Sequence, residues 1–208
     1  MTKRQDGEKT KERILNVAMT LFAAKGFRDT TIADIVKGCG NVNAALVNYY
    51  FTDKKSLYRY GCRLIYQQAL EAYPLLGNAP ADATPEERLK AVIFASLSRN
   101  ADKDNLVNAI IHQEISAPTG YLQDLCEELV DEMIQLLRGC LRDCLVAAVP
   151  EREKDLLAYS ILGMLLVPIR KILTWGNFEM TPFTLVERQE HVWSITAAAL
   201  RDLNTRWS

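Results

Sequence analysis

Residues 30–57 read TTIADIVKGCGNVNAALVNYYFTDKKSL, and this passage decides the fold. Two short amphipathic segments, 32–36 and 44–48, are separated by a tight Gly38-Cys39-Gly40-Asn41 turn and followed at once by two tyrosines and two lysines. Thr31 is placed to N-cap the first segment through its hydroxyl, and Asp34, three residues on, suits the positive end of that helix. Ile32, Ile35 and Val36 then face inward. The second segment opens at Asn43, another capping residue, and Ala44 and Ala45 keep its leading surface small. The order is helix, turn, helix, then groups of phosphate-reaching length. A small-fronted helix fits deep in a major groove about 12 Å wide, Asn48 offers a bidentate contact to adenine, and Phe51 turns into the core. The hydroxyls of Tyr49 and Tyr50 and the ammonium groups of Lys54 and Lys55 have the reach for phosphates. The implied partner is double-stranded DNA.

At these residues the chain resembles the DNA-binding domain of the TetR/AcrR family of bacterial transcriptional regulators. The resemblance rests on Gly26-Phe27, Thr30-Thr31-Ile32, Tyr49-Tyr50-Phe51 and Asp53-Lys54-Lys55, in that order at suitable spacing, and covers roughly residues 9–60. Aligned from both sides, the turn carries one more residue near Asn41 than the common family form. That bears on which of Asn43, Ala44 and Ala45 reach bases.

Charge is distributed to match. The whole chain of 208 residues has a formal net charge of −1. Residues 1–60 carry eleven Lys/Arg against six Asp/Glu, a net of +5, and residues 61–208 fourteen against twenty, a net of −6. A basic head raises local affinity for a polyanion and makes binding fall with salt. The amino terminus lacks an apolar stretch after its charges, so no signal peptide is expected, and Cys39, Cys62, Cys126, Cys140 and Cys144 read as reduced thiols in a cytoplasm. The uncharged, strongly apolar run at residues 156–169 is fourteen long and shorter than the roughly twenty a membrane span requires.

Helical period runs through almost every segment, so the expected fold is all-α: an N-terminal three-helix helix-turn-helix domain (1–55), a connecting helix (54–73), and a larger helical domain (74–208) for effector binding and dimerisation. Helix one spans about 9–25, with Ile14, Leu15, Ala18, Leu21 and Phe22 on one face, and stops at Gly26 in a left-handed cap. Thr84-Pro85-Glu86-Glu87 combines a cap, a fixed φ and first-turn acids, and opens the second domain. Its helices are expected at about 85–100, 104–115, 119–148, 151–174 and 184–204. Leu122, Cys126, Leu129, Met133, Leu136, Cys140 and Cys144 recur at three and four and form a core-facing stripe.

The last two helices are the expected dimer surface, because Leu156, Ser160, Gly163, Met164 and Val167 belong to a stretch that is apolar or small nearly all round, and Trp193, Ile195, Ala198 and Leu200 supply a partner face. Two recognition helices about 34 Å apart would read a palindrome. The family resemblance implies a small-molecule effector pocket in the larger domain; His112 and Glu114 beside the Pro118 break, with Tyr121 and Trp175 as aromatic walls, are the ligand-binding candidates, although residues two apart do not share a helix face. The segment His112-Gln113-Glu114, then Pro118-Thr119, is similar to a subgroup of the family with a related C-terminal domain. Two histidines, no Gly-x-Ser-x-Gly elbow and a glycine turn that follows a helix rather than a strand give no enzyme, no metal and no cofactor. The resulting expectation is a cytoplasmic homodimeric repressor that binds an operator and is released by an effector. The alternatives are a helical DNA-binding or protein-interaction module without an effector, or a thiol-based redox-sensing regulator.

Overall fold

A computed structural model describes residues 3–40, 42–102, 105–166 and 183–208. Among them are nine helices and no strand: α1 (Lys3–Asp29), α2 (Ile32–Gly38), α3 (Ala44–Phe51), α4 (Lys54–Ala72), α5 (Pro85–Ala101), α6 (Leu106–Ser116), α7 (Gln123–Cys144), α8 (Glu151–Leu166) and α9 (Leu185–Trp207). The all-α expectation holds. Val167 and Trp175 lie outside the described residues.

The chain packs as two compact units, and the division is not linear: Met1–Ala69 with Lys103–Cys126, and Leu70–Asp102 with Glu127–Ser208. In the first, α1 supplies Ile14, Leu15, Ala18, Met19 and Phe22, which meet Ile35 of α2, Val47 and Phe51 of α3, and Leu57 and Tyr58 of α4, all buried. Leu21, expected on this face, lies at its edge. An aromatic cluster closes the core: Phe22 meets Tyr58 edge-on at 4.8 Å, and Phe27 contacts Tyr58 at 4.9 Å and Tyr121 at 5.0 Å. Gly26 kinks α1 at φ 85, so the positive φ expected there is present although helical residues continue to Asp29. Helix α1 also begins at Lys3, six residues before the expected start.

In the second unit, α5, α8 and α9 pack around Leu89, Val92, Ile93 and Leu97, joined by Ile161, Leu162, Leu165, Val192, Leu200 and Leu203. Helix α7 contributes Met133, Ile134, Leu137, Cys140 and Leu141. The buried stripe is thus rotated from the expected one, and Leu136 and Cys144 sit at its edge, partly buried. Side chains from distant helices satisfy backbone groups in several places, the end of α7 among them. The Asn204 amide donates to the Cys144 carbonyl at 3.1 Å while its oxygen accepts from Val146 N–H at 2.9 Å. Asn100 donates to the Leu165 carbonyl at 2.8 Å, and Arg99 to the Tyr73 carbonyl at 2.6 Å. Gly77, at φ 64, lies where a Cβ would meet the Ala91 carbonyl oxygen at 2.6 Å, so the turn after α4 sits directly on α5.

Candidate nucleic-acid interface

Helix α2 forms as expected. The Thr31 hydroxyl accepts from Asp34 N–H and the Asp34 carboxylate accepts from Thr31 N–H, each at 3.1 Å, a complete capping box. The Thr31 backbone N–H, and after it the Thr31 side chain, hold the Asp34 carboxyl below its ordinary range. Of the three apolar residues, Ile35 is fully buried and Ile32 and Val36 lie at the margin. Helix α3 starts where Asn43 Oδ1 accepts from Ala45 N–H at 2.9 Å. Its faces then separate by helical spacing. Val47 and Phe51 point into the core, whereas Ala44, Ala45, Asn48 and Tyr49 are exposed together on the opposite side with Asn43 at their head. Tyr49 is 79% exposed and stacks edge-on against Tyr50 at 5.1 Å. Tyr50 is half-buried, its hydroxyl against α1, where a Cβ on Gly7 would meet it at 3.3 Å.

Lys54 departs from the sequence expectation. Its ammonium donates to the carbonyls of Phe27 at 2.9 Å and Thr30 at 2.8 Å and lies 4.1 Å from the Phe27 ring centroid. Helix α1 ends in carbonyls without helical partners, and this cation meets that negative end. A phosphate would have to draw it away, so its place is structural. Lys55 is exposed, with its ammonium 4.8 Å from the Tyr121 ring centroid. Lys37 is exposed in the last turn of α2, a cation the motif reading passed over.

The expected ligand groups do not converge. Glu114 is buried, and its carboxylate accepts from the Tyr58 hydroxyl at 2.8 Å and from Thr119 N–H at 2.9 Å and Thr119 Oγ1 at 2.8 Å. It ties α4 to the turn after α6. Tyr121 belongs to the aromatic cluster, and its carbonyl accepts from Arg59, whose guanidinium also grips Asp124 at 2.6 and 3.0 Å. His112 is half-buried on another face of α6. A cleft of about 260 Å³ in the first unit is lined by Arg59, Arg63, Gln67 and Leu122 among others, and an open groove of about 820 Å³ in the second by Leu70, Pro74, Leu75, Leu76 and Leu136 with Asp131 and Glu132. None of His112, Glu114 and Tyr121 lines either one.

On α8, Leu156, Tyr159, Ser160, Gly163 and Leu166 are exposed at intervals of three and four, and Ile195 and Ala198 are exposed on α9. Tyr159 and Leu166 are additions to the expected face. Leu200 is a correction: only 1% exposed, it belongs to the core, since a residue two positions from Ala198 lies about 200° round the helix. Met164 and Trp193 are partly buried against that core.

A helix-turn-helix head whose second helix is bare along its outer face, carried on an all-helical body, is the build of a transcriptional regulator. Two family models match: residues 14–60 fit bacterial regulatory proteins of the tetR family, and residues 85–172 fit the C-terminal domain of the HTH-type transcriptional dual regulator CecR. The chain belongs to the TetR family of bacterial transcriptional regulators. It is 44% identical over 48 residues, 23% of this chain and 25% of the relative, to the biofilm operon icaADBC HTH-type negative transcriptional regulator IcaR of Staphylococcus aureus. The chain spans about half the length of the first curated relatives it matches, 45% and 55%. In fold it is similar to a TetR-like transcriptional regulator from Rhodococcus sp. RHA1, with a TM-score of 0.69, 16% identity and coverage of 92% and 96% of the two chains. It is also similar to AibR, solved in complex with isovaleryl coenzyme A and operator DNA, with a TM-score of 0.65, 18% identity and coverage of 89% and 97%.

Proposed function

We propose that the chain is a homodimeric cytoplasmic repressor that binds palindromic operator DNA through residues 30–55 and is released by a small-molecule effector acting on its helical body. The observation that carries this reading is the exposed face of α3, where Asn43, Ala44, Ala45, Asn48 and Tyr49 stand together on a core-anchored helix. Ala44 and Ala45 allow close approach to the groove floor, Asn48 reads an adenine, and the Tyr49 hydroxyl and Lys55 take phosphates. Thr31 and Asn43 act first as caps that hold the two helices in place, and Lys54 as a tie to α1. Residues 1–55 form the reading head and 54–73 the connection; effector binding and dimerisation belong to 74–208, of which 103–126 pack in the same unit as the head. A regulator that reads chromosomal operators works in the cytoplasm, and the family gives no reason to expect catalysis.

Pairing through α8 and α9 is supported by the exposed apolar stripe Leu156, Tyr159, Gly163 and Leu166 with Ile195 and Ala198. A dimer would present two α3 helices to successive major grooves of a palindrome, about 34 Å apart. IcaR is a negative regulator and AibR was solved with both an acyl coenzyme A and operator DNA, which supports repression and effector control here. Thiol oxidation is the weaker trigger. Burial pushes the Cys144 thiol up to about 12 and raises those of Cys62 and Cys140, leaving little of the reactive thiolate.

The test is selection of duplexes from a random library by purified protein, followed by footprinting and a metabolite screen for release. A palindromic consensus bound by dimer is expected. Asn48→Ala should relax preference at one base position per half-site at a cost of about 1–3 kcal/mol; unchanged preference there would overturn the base-contact assignment.

A further inference from the structure

Among the described residues, Thr52 is the only non-glycine with positive φ, at φ 68 and ψ −55. These angles define a γ-turn of the rarer, strained hand, and its hydrogen bond is formed: Asp53 N–H donates to the Phe51 carbonyl at 2.7 Å. The turn is closed on both sides. Thr52 N–H donates to the Asn48 carbonyl at 2.9 Å and ends α3, while Asp53 Oδ1 accepts from Ser56 N–H at 2.6 Å and starts α4. Thr52 is exposed, so burial of its side chain does not offset the strain. The conformation is imposed from either side instead, by Phe51 in the core and by the Lys54 ammonium on the Phe27 and Thr30 carbonyls. Strain of this kind persists only where the surroundings over-determine it.

We propose that Thr52 is a positioning residue, whose strained single-residue turn fixes the direction in which α3 leaves α4 and thereby sets Asn48 and Tyr49 before DNA arrives. This rests on the operator reading above. A β-branched residue at positive φ occupies a narrow well, whereas glycine occupies a broad one without penalty. The Cβ therefore destabilises the fold and stiffens the junction at once. Removing it should move stability and affinity in opposite directions, because freedom gained by the free head has to be lost again on binding.

The experiment compares wild type, Thr52→Gly and Thr52→Ala by thermal melting and by titration with the best duplex selected by the wild type, at several salt concentrations. Thr52→Gly should melt about 2–4 °C higher and bind about tenfold more weakly, or about 1.4 kcal/mol, with an unchanged salt slope. Thr52→Ala keeps the Cβ, loses the hydroxyl, and should bind within about twofold of wild type. Wild-type affinity in Thr52→Gly, a lower melting temperature in that variant, or equal weakening in Thr52→Ala would each overturn the proposal, the last by pointing to a direct hydroxyl contact. A wild-type protein that selects no duplex removes the operator reading and this role with it; normal wild-type binding beside an unaffected Thr52→Gly removes this role alone.

Discussion

Replacing Lys54 by methionine keeps an unbranched apolar stem and deletes the ammonium. The structure gives that ammonium two acceptors, the Phe27 carbonyl at 2.9 Å and the Thr30 carbonyl at 2.8 Å, and an aromatic face 4.1 Å away. A hydrogen bond from a charged donor contributes about 1.5–3 kcal/mol in isolation and a cation over a ring about 0.5–1 kcal/mol. Contributions sharing one donor group are not additive, and the stem still packs, so the working figure is about 2–4 kcal/mol. For a chain of this size 1 kcal/mol corresponds to about 2–4 °C, so Lys54→Met should melt about 5–15 °C lower. Circular dichroism at 222 nm reads the melt, and titration with the selected duplex at four salt concentrations reads the electrostatics. If Lys54 were a phosphate contact, the fold would be unchanged and the salt slope of a dimer would fall by about 1.8, two phosphates at about 0.9 each. That outcome would refute the structural assignment. Lys55→Met is the internal control and should show the reverse pattern, a wild-type melt with a shallower slope.

Three further outcomes follow from the same geometry. Glu114→Ala strands the Tyr58 hydroxyl and Thr119 N–H in a buried setting and should cost about 2–4 kcal/mol in urea unfolding, whereas a loss below about 0.5 kcal/mol would mean that the network is solvated. The carboxyls of Asp34, Glu87 and Glu187 are all held below their ordinary values of 3.8, 4.5 and 4.5 by capping threonines, the backbone hydrogen bond being the largest cause. A carboxylate with a depressed folded pKa stabilises above its unfolded pKa and loses that contribution as pH falls through the folded one. Stability should therefore be level from neutrality to about pH 5 and decline below about pH 4.5; the triple variant Asp34→Asn, Glu87→Gln, Glu187→Gln should flatten that decline, and an equally steep one would show that the caps do not drive it. Cys62, Cys140 and Cys144, their thiols raised by burial, should label slowly with a disulfide reagent at pH 8 until urea unfolds the chain, as mass spectrometry of the labelled peptides would show. Labelling at the rate of a free thiol would revive the redox alternative.

The parts of the fold that could be read from the chain are those whose partners lie within a few residues. Thr31 with Asp34, and Thr84 with Glu87, close capping boxes over three residues, and both helix starts fall where the sequence places them. Asn43 caps α3 for the same reason. The burial of Val47 and Phe51 against the exposure of Asn48 and Tyr49 follows from helical period alone. The end of α7, four residues short of the expected one, was harder to read, because the side chain on the Cys144 carbonyl, Asn204, comes from far along the chain. Nothing near Cys144 announces Asn204, sixty residues away. The same distance in sequence concealed the use of Lys54. Beside Tyr49-Tyr50 it resembles a phosphate ligand, and only the return of α1 to within hydrogen-bond reach gives its ammonium other acceptors.

Glu114 shows the same effect at the expected ligand site. A glutamate two residues from a histidine and four before a proline suggests a polar pocket, and composition cannot distinguish that from a carboxylate bound by its own fold. The structure supplies the distinction by occupancy. Both oxygens already accept hydrogen bonds, from Tyr58 of α4 and from Thr119, so an effector that used Glu114 would first have to break a buried network. Such a displacement would loosen α4 at Tyr58, within the first turns of the helix that begins beside α3. An effector acting there would be competing with Tyr58 and Thr119 for a carboxylate, and Tyr58→Phe, which withdraws one competitor without changing the ring packing, would then strengthen its binding; a weaker or unchanged affinity would place the effector elsewhere.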